Sequence, residues 1–306
     1  LLANDVPLVA RAGGAWYFPA FRSYLGATSQ APDGAPWKQW WLGLSDDSTD
    51  WAVMPPIPNG PQERFAGRIN AAPQLMVHYL GNDDSGRDLL VRLLHGGLTA
   101  LWIALGSVVL AAGIGVPLGA IAGYRGGVVD ALVSALVQLF LCFPPFFFVL
   151  AVMTFLQRSL SAVVVVLGAL YWVSFARIVR GELLRLRDQE FVLCAEHLGV
   201  SPTRVLVRHA LPAARGPILV NAMFVAASAI VVEATLSFLG LGPGLDVVSW
   251  GGLLQQGKDN AHLGAWHLWL FPCATLVTTI AALHTVLSPA KTGLEETPRL
   301  RSSPSP

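Results

Sequence analysis

Residues 189–202 read QEFVLCAEHLGVSP. Gln189 to Leu198 pattern as a short helix, because Phe191, Cys194, Ala195 and Leu198 recur at i, i+3, i+4 and i+7 and so share one face. Gly199 suits the left-handed residue just past a helix end. Ser201 is then a good N-cap, with Pro202 at the first position of a second helix. That second helix is expected to run through Val205 and Arg208 until Pro212 stops it. The pattern predicts a helix–turn–helix lying outside the membrane between two spans. Small residues at 194 and 195 would let its first helix sit deep in a groove. On pattern alone, an ordinary amphipathic juxtamembrane loop reads the same residues.

Working outward, the chain turns strongly apolar. Of 306 residues, 54% are hydrophobic and 13% charged, against roughly 25% charged in soluble domains. A large surface therefore faces something other than water. The net charge of +1 argues for neither nucleic acid nor acidic partners. Five apolar stretches are of membrane-spanning length: Leu98–Tyr124, Asp130–Leu156, Ser159–Val179, Pro217–Leu241 and Leu263–Leu287. Lipid leaves backbone polar groups no partner but each other, so these are read as helices. In the first, Gly115, Gly119 and Gly123 recur at the four-residue spacing that lets helix backbones approach closely. Pro144 and Pro145 interrupt the second, as either a hinge or a static kink.

Arginines orient the spans. Arg177, Arg180, Arg185, Arg187, Arg204, Arg208 and Arg215 surround the helix–turn–helix, whereas the loop between the second and third spans holds only Arg158. The positive-inside rule puts 177–215 in the cytoplasm, the C-terminus with it, and the N-terminal region outside. Residues 1–96 are polar, proline-clustered and tryptophan-rich, and are expected to form an irregular extracytoplasmic domain ending in an interfacial helix from Arg87 to His95. Residues 97–290 form the transmembrane domain, with the cytoplasmic loop at 180–215. Residues 291–306, rich in Ser, Pro and Arg, are expected to be a disordered cytoplasmic tail. Leu1, Leu2 and Ala3 read as the tail of an earlier helix, so a first span is expected upstream. The three cysteines, Cys142, Cys194 and Cys273, sit in or beside apolar runs at no metal-ligand spacing.

The stretch from Glu190 through Phe191, Cys194, Ala195, Gly199 and Ser201 to Pro212 resembles the EAA loop of ABC importer permeases. Two further segments resemble the peptide and nickel branch of that family, the oligopeptide/dipeptide permease C-type: LGNDDSGRDL at 80–89, and EATLSFLGLG at 233–242 followed by SWGG at 249–252. More weakly, segments near Ala3, Trp16 and Pro55 resemble the long external insertion of permeases similar to the microcin C and oligopeptide transporter subunit. Cys194 stands where the family usually has alanine, and the chain after Leu283 departs from the family's ending. The resemblance implies an all-α, type I ABC importer permease bundle in the bacterial inner membrane. It makes Glu190, Phe191, Cys194, Ala195, Leu198, Gly199 and Ser201 the coupling helix and its cap, in contact with an ATPase subunit. It implies a homologous second permease, two ATP-binding subunits, an extracytoplasmic solute-binding protein, a peptide-like substrate and a lipid bilayer as partners. ATP and magnesium would sit on the partner subunits, and no cofactor on this chain. A missing first helix and an altered C-terminus motivate the alternative, a non-transporting membrane anchor or receptor, or a decayed permease copy. A passive channel is a second rival.

Other residues carry less. GLLQQGKD at 252–259 approaches a phosphate-binding loop, but it lacks the Ser/Thr for magnesium and follows no strand. NDDSGRD at 82–88 has the flavour of a calcium loop without its closing glutamate; Asp83 and Asp84 read better as caps of the helix that follows. No metal site and no catalytic constellation stands out, so the chain is not expected to be an enzyme. Glu233, an acid within an apolar span, reads either as a pathway or gate residue or as a hydrogen-bond partner of a neighbouring helix. Gln138, Phe143 and Pro144, in the second span, are the other pathway or gate candidates.

Overall fold

The structure, a computed structural model, describes residues 3–24, 30–44, 50–65, 69–74, 78–244 and 246–295. In chain order its elements are β1 (Val9–Ala12), β2 (Ala15–Tyr17), α1 (Pro19–Tyr24), α2 (Trp37–Leu42), β3 (Trp51–Val53), α3 (Leu89–Arg125), α4 (Gly127–Leu141), α5 (Pro145–Phe155), α6 (Leu160–Leu186), α7 (Glu190–His197), α8 (Pro202–Val205), α9 (Leu211–Ala213), α10 (Arg215–Phe238), α11 (Trp250–Asp259) and α12 (His267–Glu295). Two compact units divide the chain. One joins Leu1–Leu98 to Val248–Cys273, and the other joins Thr99–Val247 to the residues from Ala274 onward.

The N-terminal part of the first unit is more regular than its composition suggests. It holds an antiparallel sheet in the order β2-β1-β3. Gly13 and Gly14, both at positive φ, form the two-residue turn between β1 and β2, the geometry that matches strand twist. Trp37 is buried with Ala10 and Ala31, and its ring meets Tyr17 and Trp40. Trp16 and Trp51 stay exposed, edge to face at 5.5 Å. Strands of three and four residues are too short for alternation to be read in sequence.

Helix α3 corrects one expectation. The interfacial helix expected from Arg87 to His95 is the opening of a single 37-residue helix, about 56 Å long at 1.5 Å per residue. Its cap is Asp88, whose carboxylate accepts from the Val91 amide at 3.2 Å; Asp83 and Asp84 do not cap it. Pro117 lies within the helix without ending it. Leu101, Leu105 and Val109 form an exposed stripe at four-residue spacing, as a lipid-facing surface requires.

Among the described residues, four helices are long and apolar enough to cross a membrane: α3, α6, α10 and α12 over His267–Thr285. The pair α4 and α5, bent by 78°, makes a fifth if counted as one span. Pro145 opens α5 at its first position, so the double proline divides the span. The seam between α3 and α6 follows the glycine spacing. A Cβ at Gly115, Gly119 or Gly123 would come within 2.3, 2.4 and 2.6 Å of the carbonyl oxygens of Trp172, Ala176 and Arg180. Ile103, Val149, Met153, Leu167, Ala229 and Leu236 then close a core between α3, α5, α6 and α10. Helix α12 extends through Glu295, so the tail expected over 291–306 starts inside a helix; residues 296–306 lie outside the described residues.

Candidate functional site

The segment between α6 and α10 is built as two short helices with a defined corner. Helix α7 ends in a complete Schellman motif: Gly199 sits at φ +79°, its amide donates to Glu196, and the Val200 amide donates to Ala195. Glycine is required there by the positive φ. Ser201 occupies the N-cap of α8 and Pro202 its first position, but the Ser201 hydroxyl makes no capping bond; its carbonyl receives the Arg204 and Val205 amides instead.

Pro212 does not stop the second helix. The chain passes from α8 into a π-helical turn over Leu206–Ala210 and on through α9 to Ala213. The Leu211 amide reaches back five residues to Leu206, and this wider register accommodates a residue that has no amide proton to give. Leu206, Ala210 and Ala214 are buried against Ala120, Val179, Leu183 and Leu186, which bolts the segment to the ends of α3 and α6.

Helix α7 spends almost none of its apolar side chains on this packing. Val192 is fully buried and anchors it, while Phe191, Leu193, Cys194 and Leu198 are exposed, Leu198 at 83%. Of the predicted face, only Ala195 is half-buried. Glu190 is exposed in the first turn. The Tyr124 hydroxyl, one residue before the end of α3, donates to Glu196 on the back of α7. Arg180 on α6 grips Asp130 at the start of α4 through two parallel hydrogen bonds, one of them 2.7 Å long, a geometry that fixes both position and direction. Neither pair was singled out from sequence.

The pathway candidates do not share one environment. Gln138, Phe143 and Pro144 are exposed around the α4–α5 break. Glu233 is 1% exposed, and the Ser237 hydroxyl on its own helix donates to it at 2.6 Å. Gly240 and Leu241 close α10 with the same Schellman bonds that end α7, and a Cβ on Gly242 would meet the Ser237 hydroxyl at 2.1 Å. The segment 233–242 thus folds back onto its own buried acid.

In the first unit, the segment at 80–89 meets His267, and that at 249–252 meets the first turns of α3. Asp83 is fully buried and accepts from the amides of Ser85 and Arg87 and from the side chains of Arg87 and Arg92. Its oxygens are taken up by these donors, which is the opposite of a calcium loop's open carboxylates. Asp88 also receives the His78 ring at 2.8 Å. Trp250 lies over Gly96 and Gly97, where a Cβ would come within 2.8 and 3.2 Å of its indole, and its Nε1 donates to the Leu93 carbonyl at 2.9 Å. Arg92 donates to Gln256, and the His267 ring bonds the Asn82 carbonyl. Lys258 in the would-be phosphate loop lies on α11, a helix, with its ammonium 3.5 Å from Asp259.

Residues 115–292 match the family described as the binding-protein-dependent transport system inner membrane component. The chain is 35% identical over 235 residues to the oligopeptide transport system permease protein OppC of Escherichia coli, covering 76% of this chain and 72% of that protein. It is 38% identical over 234 residues to a peptide transport system permease protein of Brucella suis, covering 76% and 77%. Among solved structures, the MetNI methionine ABC transporter in an inward-facing conformation shares the fold, with a TM-score of 0.57, 18% identity, and coverage of 67% of this chain and 97% of that one.

Proposed function

Because the chain belongs to the family of inner-membrane components of binding-protein-dependent transport systems, and is therefore the permease subunit of an ABC importer, we propose that it carries peptides or peptide-like solutes and that α7 is its coupling helix. The observation that carries the assignment of α7 is the exposed stripe of Phe191, Cys194 and Leu198 on a helix whose ends and back are fixed by Gly199, Val192 and the Tyr124–Glu196 bond. Apolar surface held rigidly outside a span is surface kept for a partner. A docked ATPase that moves this helix moves the ends of α3 and α6 with it, because Leu206, Ala210 and Ala214 pack into them.

In this reading the partners are a homologous permease, two ATP-binding subunits that hold ATP and magnesium, and an extracytoplasmic binding protein. Helix α7 faces the cytoplasm, residues 1–96 face outside, and the membrane is the bacterial inner membrane. The arginine asymmetry supports that orientation. Glu233 acts as the buried brace of its own helix end, and Gln138, Phe143 and Pro144 flank the bend that opens and closes the pathway. A non-transporting anchor is not favoured, since identity to transport permeases extends over 76% of the chain. Uptake of labelled peptides by cells with and without the gene tests the transport reading; equal uptake would refute it. Replacing Ala195 by tryptophan should abolish that uptake while leaving the protein in the membrane, and normal uptake in this variant would remove the coupling assignment.

A further inference from the structure

A cleft of about 210 Å³ opens between α6, α10 and the α4–α5 break. Apolar spans rarely collect polar side chains without a use for them, yet this cleft has five. Asn221, Phe224 and Ser228 share one face of α10, and Tyr171, Ser174 and Arg177 line it from α6. Ser174 donates to the Asn221 side-chain oxygen at 2.7 Å. The Asn221 side chain is 5% exposed, and its amide nitrogen has no hydrogen-bond partner among the described residues. Buried amide donors are rarely left unpaired, and each such case calls for an explanation. Arg177 lines the same cleft, exposed and without an ion-pair partner among the described residues. The nitrogen groups left over are donors only, the Asn221 amide protons and the Arg177 guanidinium, the complement of a carboxylate. Phe140, Leu170 and Phe224 supply an apolar wall. The volume is below that of a pocket for a whole drug-sized ligand and suits one residue of a longer chain.

We propose that this cleft is a transient subsite for a carboxylate of the carried solute, held by Arg177 and Asn221 with its apolar portion against Phe224. The inference rests on the peptide-permease reading and deepens it. Arg177 is nine positions before the end of α6, and Asn221 six after the start of α10, so the subsite lies toward the ends of the spans that carry α7. A solute leaving on that side would meet it last.

The test compares uptake of trialanine, trialanine amide and Ala-Ala-Asp amide by the intact transporter, each as the ratio of variant to wild type, so that the binding protein's own preference cancels. Arg177→Gln should raise KM for trialanine about tenfold, as loss of a charged hydrogen bond does, and leave trialanine amide within about twofold. Arg177→Lys, which keeps the charge but not the fork, should restore part of the difference. A matching loss for Ala-Ala-Asp amide means that any carboxylate is read; no loss means that the C-terminal one alone is. Equal losses for trialanine and its amide, or none for either, would overturn the subsite. A second readout needs no transport: the assembled transporter in phosphatidylcholine nanodiscs is photolabelled with 4-azidobenzoate. Adducts are expected within 170–177 or 221–228 and should vanish in Arg177→Gln; no adduct there would overturn the subsite. If the wild type imports no peptide but labels as expected, the peptide reading fails and the carboxylate site stands.

Discussion

The cluster around Asp83 and the helix α7 both carry family-like sequence, but they spend their side chains in opposite ways. Around Asp83 the charges are turned inward: Arg87 and Arg92 both donate to its carboxylate, Arg92 also reaches Gln256, and the Trp250 indole bonds the Leu93 carbonyl, all within one unit. On α7 the backbone is just as well determined, yet Phe191, Cys194 and Leu198 stay exposed. The contrast separates motifs that hold a fold from motifs that wait for a partner. A recurring pattern of residues does not by itself say which of the two it is; burial does.

Substitutions can break this contrast, and their expected costs fall in order. Asp83→Ala leaves Arg87 and Arg92 buried without their carboxylate, which costs about 3–5 kcal/mol. The amount of protein in the membrane and its unfolding in detergent should both collapse, and wild-type levels would mean that the cluster does not hold the fold. Gly119→Leu drives a side chain into the Ala176 carbonyl and should cost about 1–3 kcal/mol. Gly113→Ala, where a Cβ meets nothing within 4 Å, is the control, and its unfolding should match wild type or better. Gly199→Ala places a Cβ at φ +79° and should lower stability by about 1 kcal/mol. Leu198→Asp should change stability by less than about 0.5 kcal/mol, yet cut uptake about tenfold or more through lost ATPase association. Co-purification of the ATPase with that variant at wild-type yield would erase the distinction drawn here.

How much was legible in sequence tracks how local the causes are. The apolar stretches and the glycine seam were visible because length and four-residue spacing are one-dimensional signals, and Gly199 because a helix end is settled within five residues. The stop rule for proline fails at Pro212 because it assumes α register, and the π turn at Leu206–Ala210 changes it. The helix opens at Leu89 and not at Arg87 because Asp88, rather than Asp83 or Asp84, supplies its cap. Asn221 and Ser174 were passed over inside apolar runs, although the polarity argument applied to Glu233 covers Asn221 as well. What no local rule reaches is the meeting of Leu93 with Trp250 and Asn82 with His267, which are 157 and 185 residues apart.

That separation has a consequence for how the protein is made. At about 5–20 residues per second, a ribosome needs about 10–40 s to pass from Asn82 to His267. Through that interval the first unit lacks α11 and the start of α12, so Arg92 has no Gln256 and the glycines at 96 and 97 have no indole above them. The segment before α3 is therefore made ahead of the spans yet is among the last to finish folding, and the membrane insertion of every helix in between becomes a precondition for completing it.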